Sequence, residues 1–178
     1  MSLYEKFITK KNGDSYYKTL ELGIPWKIFT KAKKSRLVFN YNTDCKNDNV
    51  SKECQKILVN LILQLQKDKE VEVQDIFMNY YRDGADYCNY HKDYYGRGIE
   101  TYALSLGTSR DFVVKDAINP FLGYKNKKKA EKTKYLLKSG DLFHMDDIFN
   151  RAHLHSVPKR SRIKTGRISI VFFVTQKE

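Results

Sequence analysis

The apolar positions change period once along the chain, near residue 70. Before it, Ile57, Leu58, Leu61, Ile62 and Leu65 recur at three- and four-residue spacing, with lysines and glutamates on the remaining face. That spacing predicts an amphipathic helix opened by Ser51 and packed as scaffold against a sheet. A shorter helix is predicted from Asp14 and Ser15 through Tyr16, Tyr17, Leu20 and Leu22 to Gly23 and Pro25, while residues 36–41 read as β and 42–49 as polar loop. From Val71 onward the runs are short and strand-like, at residues 76–81, 102–106, 112–115, 135–137, 142–145 and 167–175. Turn signals separate them, among them Asp83-Gly84, Ser139-Gly140-Asp141 and Thr165-Gly166. Short strands behind a helical first third predict an α+β fold, a β-sandwich or jelly roll with the N-terminal helices packed on one side. No repeat and no Pro-, Gly- or Ser-rich linker divides the chain. A single domain over residues 1–178 is expected, with 1–70 as its helical part and 71–178 as its β core.

Composition narrows the class. The 178 residues carry 33 Lys and Arg against 21 Asp and Glu, a net charge of +12, and 41% are hydrophobic. The apolar fraction suffices for a folded core and excludes wholesale disorder. The charge favours an anionic partner, nucleic acid or an acidic membrane face. No apolar run approaches the roughly 20 residues of a membrane span, and residues 1–11 lack the apolar stretch of a secretory signal. Cys45, Cys54 and Cys88 are odd in number and show no Cys-x-x-Cys spacing. They read as reduced thiols of an intracellular protein, nuclear or cytoplasmic.

Four histidines occur, and their spacing is informative. His91 and Asp93 share a face of an extended segment, because strand side chains alternate, and His155 follows downstream, just before Val157-Pro158. Two imidazoles and one carboxylate on a β scaffold form the facial triad that binds Fe(II) and leaves positions open for oxygen and a cosubstrate. By itself His-x-Asp is equally a solvent-exposed histidine beside a salt-bridged aspartate; the company it keeps decides. His153, on the face of His155, reads as an outer or surface residue, and His144, in an apolar strand, as a core histidine.

That company is ordered. Asn79-x-Tyr81-x-Asp83-Gly84-x-Asp86 precedes His91-x-Asp93 by a few residues. Residues 105–112, Ser139-Gly140-Asp141-Leu142 and His155-Ser156-Val157-Pro158 follow, and Arg167-Ile168-Ser169 begins twelve residues after His155. In order and spacing the chain resembles the AlkB-like family of Fe(II)/2-oxoglutarate dioxygenases, the nucleic-acid dealkylases. Within it the likeness is to the branch acting on duplex DNA in animals, and residues 36–41 loosely match the family's substrate-covering lid. The resemblance implies a double-stranded β-helix with His91, Asp93 and His155 as iron ligands, and Fe(II), 2-oxoglutarate and O2 as cofactor and cosubstrates. It implies that Arg167 pairs with the distal carboxylate of 2-oxoglutarate, a task suited to a planar guanidinium that stays charged. Ser169 is implied at the same carboxylate, and Asn79 and Tyr81 at further cosubstrate contacts. The plain alternatives are a core tyrosine at 81 and a surface arginine at 167. The implied reaction turns 2-oxoglutarate into succinate and CO2, hydroxylates a substrate C–H bond and releases an N-methyl group as formaldehyde. Two positions depart from the family pattern. Phe173 stands where a second arginine usually lies nearer the iron, and Tyr94 follows Asp93 where demethylases of this branch carry an acid that contacts the methylated base.

Six lysines within residues 125–134 lie between two strands and predict a protruding hairpin or loop, and residues 159–164 form a second basic cluster. On this reading Lys127, Lys128, Lys129, Lys159 and Arg160 neutralise phosphates. Arg36 meets nucleic acid, and Arg110 supports the site wall or reaches substrate. Tyr94 and Tyr95, with Tyr90 and Tyr102, stack on an extruded base. Solvated charges and core tyrosines are the plain alternatives. The expectation is a monomeric demethylase of nucleic acid, DNA or RNA, without a membrane partner. Two rivals remain: the same metal chemistry on a protein or small molecule, which the missing acid favours, and a nucleic-acid-binding module with a decayed oxygenase site, which Phe173 permits.

Overall fold

The computed structural model describes residues 1–29, 35–44, 50–93, 96–117 and 131–177. Helix α3 (Lys52–Lys69) opens at Ser51, whose Oγ accepts from the Cys54 N–H at 3.2 Å, and buries Cys54, Leu58, Leu61 and Leu65. Helix α1 (Lys10–Gly23) begins four residues ahead of the expected Asp14, with Thr9 as its N-cap. Its first turn is polar, and Gly13 lies so close to the 139–140 turn that an added Cβ would sit 2.7 Å from Ser139 Oγ. No apolar period announces that turn. Residues 41–44, expected as loop, form a helical turn, α2 (Tyr41–Asp44); residues 45–49, with Cys45, lie outside the described residues. Cys54 and Cys88 are buried free thiols.

Two antiparallel sheets follow. The larger runs in the order β1 (Ser2–Tyr4), β9 (Leu142–Met145), β6 (Glu100–Gly107), β11 (Arg167–Gln176), β4 (Val71–Tyr81), β3 (Leu37–Asn40), β2 (Lys27–Ile28). The smaller runs β5 (Cys88–His91), β10 (His153–Val157), β7 (Arg110–Asp116), β8 (Lys132–Leu137). The fold is α+β, a jelly roll with α1 and α3 against the outer face of the larger sheet. The division at residue 70 is less clean than the period change implies, because β1, β2 and β3 all join that sheet. Lys125 and Lys127–Lys129 lie outside the described residues, whereas Lys132 and Lys134 of the expected loop fall in β8, paired with β7. Among the described residues no helix is long and apolar enough to cross a membrane.

Alternation along β11 sorts the core. Ile168, Ile170, Phe172 and Val174 pack with Met78, Leu104, Leu106 and the helices. Arg167, Ser169, Val171 and Phe173 take the opposite face, toward the smaller sheet. Tyr81, Phe112, Phe143 and Val157 fill the space between the sheets. The central strands are thus apolar toward the helices and partly polar toward the jelly-roll interior, which is where a polar site can form.

Candidate metal centre and cosubstrate pocket

Pairing of β10 with β5 sets His155 opposite His91. Asp93 lies in the loop two residues past the end of β5, not on a continuous strand as the alternation argument has it. The loop nonetheless brings its carboxylate to the imidazoles: Asp93 Oδ1 is 3.4 Å from His91 Nε2 and 3.5 Å from His155 Nε2. The three ligand atoms all lie within 4.8 Å of one another. Neighbours orient each of them. His91 Nδ1–H donates to the Asn89 carbonyl at 2.9 Å, which leaves Nε2 for a metal. His155 is buried and stacks on Phe112 with ring centroids 5.1 Å apart. Asn150, on the short helix α4 (Asp147–Ala152), clamps the Asp93 backbone: its Oδ1 accepts from the Asp93 N–H at 3.2 Å and its Nδ2 donates to the Asp93 carbonyl.

Burial alone would raise the Asp93 carboxyl, but the His155 and His91 imidazoles outweigh it and hold the group well below the usual carboxylate range. Burial likewise opposes a charged His91, yet bonding to Asp93 and then Cys88 pushes that imidazole up to about 10. Two imidazoles and one carboxylate converging from one side are the donor set of a facial Fe(II) site. Such a site gives up protons as the metal enters.

Beside this cluster, Arg167 is 2% exposed. Its Nη2 donates to Ser105 Oγ at 2.9 Å, while Nε and Nη1 have no hydrogen-bond partner among the described residues. Burial lowers its pKa to about 10, against an upward pull from Tyr81. Register places Tyr81 beside Arg167, and Asn79 and Ser105 on either side of Ser169, so these residues form two rungs on the inner face. Two unmade N–H bonds on a buried guanidinium are costly unless an anion joins them. The residues present therefore fit a carboxylate at this end of the pocket. Farther along the same face Ala103, Val171 and Phe173 pack with Phe77 and Ile99 into an apolar patch. Phe173 thus belongs to an apolar wall, and the cationic end of the pocket is the Arg167 end.

Several residues assigned to nucleic acid lie elsewhere. Arg110 is 1% exposed, and its guanidinium donates to the carbonyls of Asp83, Asp86 and Pro158 at 2.8–2.9 Å. It supports the wall and cannot reach a phosphate. Arg36 is buried too, with Nε donating to Asn79 Oδ1 at 2.6 Å. Arg160 is ion-paired to Asp111, whereas Lys159 is exposed with its Nζ 4.6 Å from the Tyr87 ring centroid. Tyr102 belongs to the helix-side core, stacked on Tyr4 and His144. Tyr90 carries Lys115 Nζ 4.2 Å from its centroid. His144 is half-buried and bonded to Glu100 at 2.7 Å, which is more than a core filler needs. His153 donates from Nδ1 to the Phe149 carbonyl. Tyr94, Tyr95, Lys127, Lys128 and Lys129 lie outside the described residues.

The Asp83-Gly84-x-Asp86 motif is architectural. Gly84 exchanges backbone bonds with Ile163 and Arg160, and a Cβ there would fall 1.7 Å from the Arg160 carbonyl oxygen. Asp86 binds Arg82 bidentately. Sequence reasoning missed Asn150; a lone asparagine in a six-residue helix gives no signal.

A jelly roll whose interior joins a His-Asp-His cluster to a buried, anion-seeking arginine defines a non-haem iron oxygenase that uses a 2-oxo acid. A family model described as the 2OG-Fe(II) oxygenase superfamily matches residues 18–172, and the chain belongs to that superfamily. Fe(II), 2-oxoglutarate and O2 follow from that membership. Within the superfamily the chain is AlkB-like. It is 29% identical over 113 residues to the DNA oxidative demethylase ALKBH2 of Arabidopsis thaliana, a match covering 54% of this chain and 36% of the relative. To the mouse ALKBH2 it is 26% identical over 119 residues, covering 62% of this chain and 49% of that protein. The chain thus spans half or less of the length of these curated relatives. The solved structure of OsALKBH1 shares the fold, with TM-score 0.60, 17% identity and 96% of both chains covered.

Proposed function

We propose that this chain removes N-alkyl groups from nucleic-acid bases, with His91, Asp93 and His155 holding Fe(II) and Arg167, Ser169, Asn79 and Tyr81 holding 2-oxoglutarate. When bound, iron and cosubstrate supply the oxidation of a C–H bond while 2-oxoglutarate becomes succinate and CO2. An N-methyl carbon that gains a hydroxyl is a hemiaminal, which expels formaldehyde and leaves the base N–H. The chain's own work is orientation. Arg167 anchors one carboxylate at the closed end, and the Asn150 clamp fixes the Asp93 loop.

The observation that carries the substrate reading is a cavity of about 300 Å³ bordered by Asp93 and rimmed by Lys92, Arg97 and Arg151. Lys92 Nζ donates to the Arg151 carbonyl, and Arg151 pairs with Asp147, so the rim is held in place. A cavity that Asp93 borders, with Lys92, Arg97 and Arg151 outnumbering the acids Asp93 and Asp147 in its lining, suits a base presented on a phosphate backbone. The net charge of +12 and the likeness to two DNA oxidative demethylases support the same reading.

A second reading, oxidation of a protein or small molecule, is favoured by Tyr94 standing where an acid would contact a cationic base. One experiment separates the two. Fe(II) and 2-oxoglutarate added anaerobically are expected to give the charge-transfer absorption of a chelated 2-oxo acid. On admitting air, formaldehyde is expected from at least one oligonucleotide in a panel of N-methylated DNA and RNA. Oligonucleotide affinity is expected to fall linearly with log salt. Succinate formation without formaldehyde from any oligonucleotide, together with salt-insensitive binding, would overturn the nucleic-acid reading in favour of the second.

A further inference from the structure

Arg36 sits at 6% exposure inside the pocket interior. Strand β3 pairs antiparallel with β4, Val38 opposite Asn79. Arg36, two residues before Val38, therefore falls on the same inner face, level with Tyr81. Its Nε donates to Asn79 Oδ1 at 2.6 Å. A guanidinium has only donors, so this bond fixes which way the Asn79 carboxamide points: Oδ1 toward Arg36, Nδ2 away from it. Opposite Asn79 on β11 is Ser169, and beyond it Arg167 with its unmade N–H groups. The rungs thus offer donors throughout: an amide, a hydroxyl and a guanidinium. The Phe29 ring holds Arg36 from the other side, its centroid 4.3 Å from the guanidinium carbon. The charge of Arg36 also counters the burial that raises the Tyr81 phenol, as do those of Arg167 and Arg110.

We propose that Arg36 is a positioning residue of the cosubstrate pocket, which through Asn79 turns an amide N–H pair toward a dicarboxylate 2-oxo acid and so ties strand β3 to cosubstrate binding. Without Arg36 the carboxamide can rotate and set its carbonyl oxygen against a carboxylate, a repulsive contact in a site with little water. The inference rests on the reading above in which Arg167 and Asn79 face 2-oxoglutarate.

The test is an anaerobic titration of the Fe(II)-loaded protein with 2-oxoglutarate, followed by the charge-transfer absorption, for wild type, Arg36→Met, Asn79→Ala and the double variant. Arg36→Met is expected to weaken 2-oxoglutarate about tenfold, the worth of one lost hydrogen bond. In the Asn79→Ala background the same substitution is expected to add less than twofold, because Arg36 acts through Asn79. Co(II) affinity, read separately from its own absorption, is expected to stay within about twofold of wild type, which a general loosening of the fold would not allow. If Arg36→Met does not fold, Arg36→Lys, which keeps the charge but not the Nε donor, takes its place in the same cycle. A change under twofold in the wild-type background, or a full additive loss in the Asn79→Ala background, overturns the inference. Wild type giving no absorption at saturating 2-oxoglutarate overturns the cosubstrate assignment itself, a distinct result.

Discussion

At the scale of single residues, Arg167 strains the fold that holds it. Burial depresses its pKa to about 10, and the hydrogen bond it makes, to Ser105, is to a neutral hydroxyl. Breaking even requires an anion at Nε and Nη1, which no described residue supplies. Even a buried ion pair can often be replaced by apolar residues of similar volume at no cost to stability, and Arg167 has a hydroxyl rather than a carboxylate as its hydrogen-bond partner among the described residues. Arg167→Met is therefore expected to leave the ligand-free protein as stable as wild type, or more stable by about 1–2 kcal/mol. The same variant is expected to lose the rise in Tm that Fe(II) with 2-oxoglutarate gives wild type. Thermal unfolding with and without both additions checks this, and a less stable ligand-free variant would mean that the Ser105 bond outweighs the burial. The grouping of His91, Asp93 and His155, which the structure brings together, and the role proposed for Arg167 were expected from the order and spacing of motifs that resemble the AlkB-like family. The role of Arg36 was not, and that of Arg110 only as one of two alternatives, wall support or substrate contact. Sequence reports their charge but not their depth, and both occupy inward positions where a guanidinium bonds to an amide or to backbone carbonyls.

The elements divide the same way. Six of the strands from residue 71 onward were legible because their apolar positions lie between turn signals, and α3 because its period holds from Ile57 to Leu65, whereas β5 and β10, which carry His91 and His155, have no such apolar run. Helix α4 was not legible, since six residues opened by Asp146, whose Oδ1 accepts from the Phe149 N–H at 2.7 Å, carry a cap but no period. Yet α4 positions Asp93, the carboxylate proposed to hold the metal, which lies beyond the end of its strand. Asn150 replaces the ladder bonds that the Asp93 backbone would have on a strand with two bonds from one side chain. Asn150→Ala removes both and is expected to weaken metal binding by about 10–100-fold, the usual cost of losing an outer partner. Asn150→Asp keeps the acceptor and loses the donor, and is expected to fall between the two. Co(II) titration measures the effect, with circular dichroism to verify the fold; an unchanged Asn150→Ala affinity would mean that the imidazoles alone fix the Asp93 loop.

For the whole molecule, what joins the layers is a set of buried and half-buried phenols. Tyr17 and Tyr80 both donate to the Glu21 carboxylate and so tie α1 to β4. Tyr81 spans the two sheets, and Tyr102 links β6 to β1 and β9 through its stacks with Tyr4 and His144. Burial raises all four above the ordinary phenol, Tyr17 and Tyr80 with further help from Glu21, and Tyr102 to about 12. Unfolded phenols ionise near pH 10. Below that pH both states keep these protons and the contribution to stability is complete. Between about pH 10 and 12 the unfolded chain releases protons that the folded one retains, so stability must fall as pH rises. The net charge of +12 at pH 7 acts in the opposite direction, because lysine deprotonation relieves self-repulsion. Tm is therefore expected to hold or rise gently to about pH 9.5 and to drop above 10, with a shallower drop for Tyr102→Phe. A scan of Tm from about pH 7.5 to 11.5 decides. A curve that stays level through pH 11 would mean that the phenols ionise inside the folded protein, and that apolar packing alone holds the helices and sheets together.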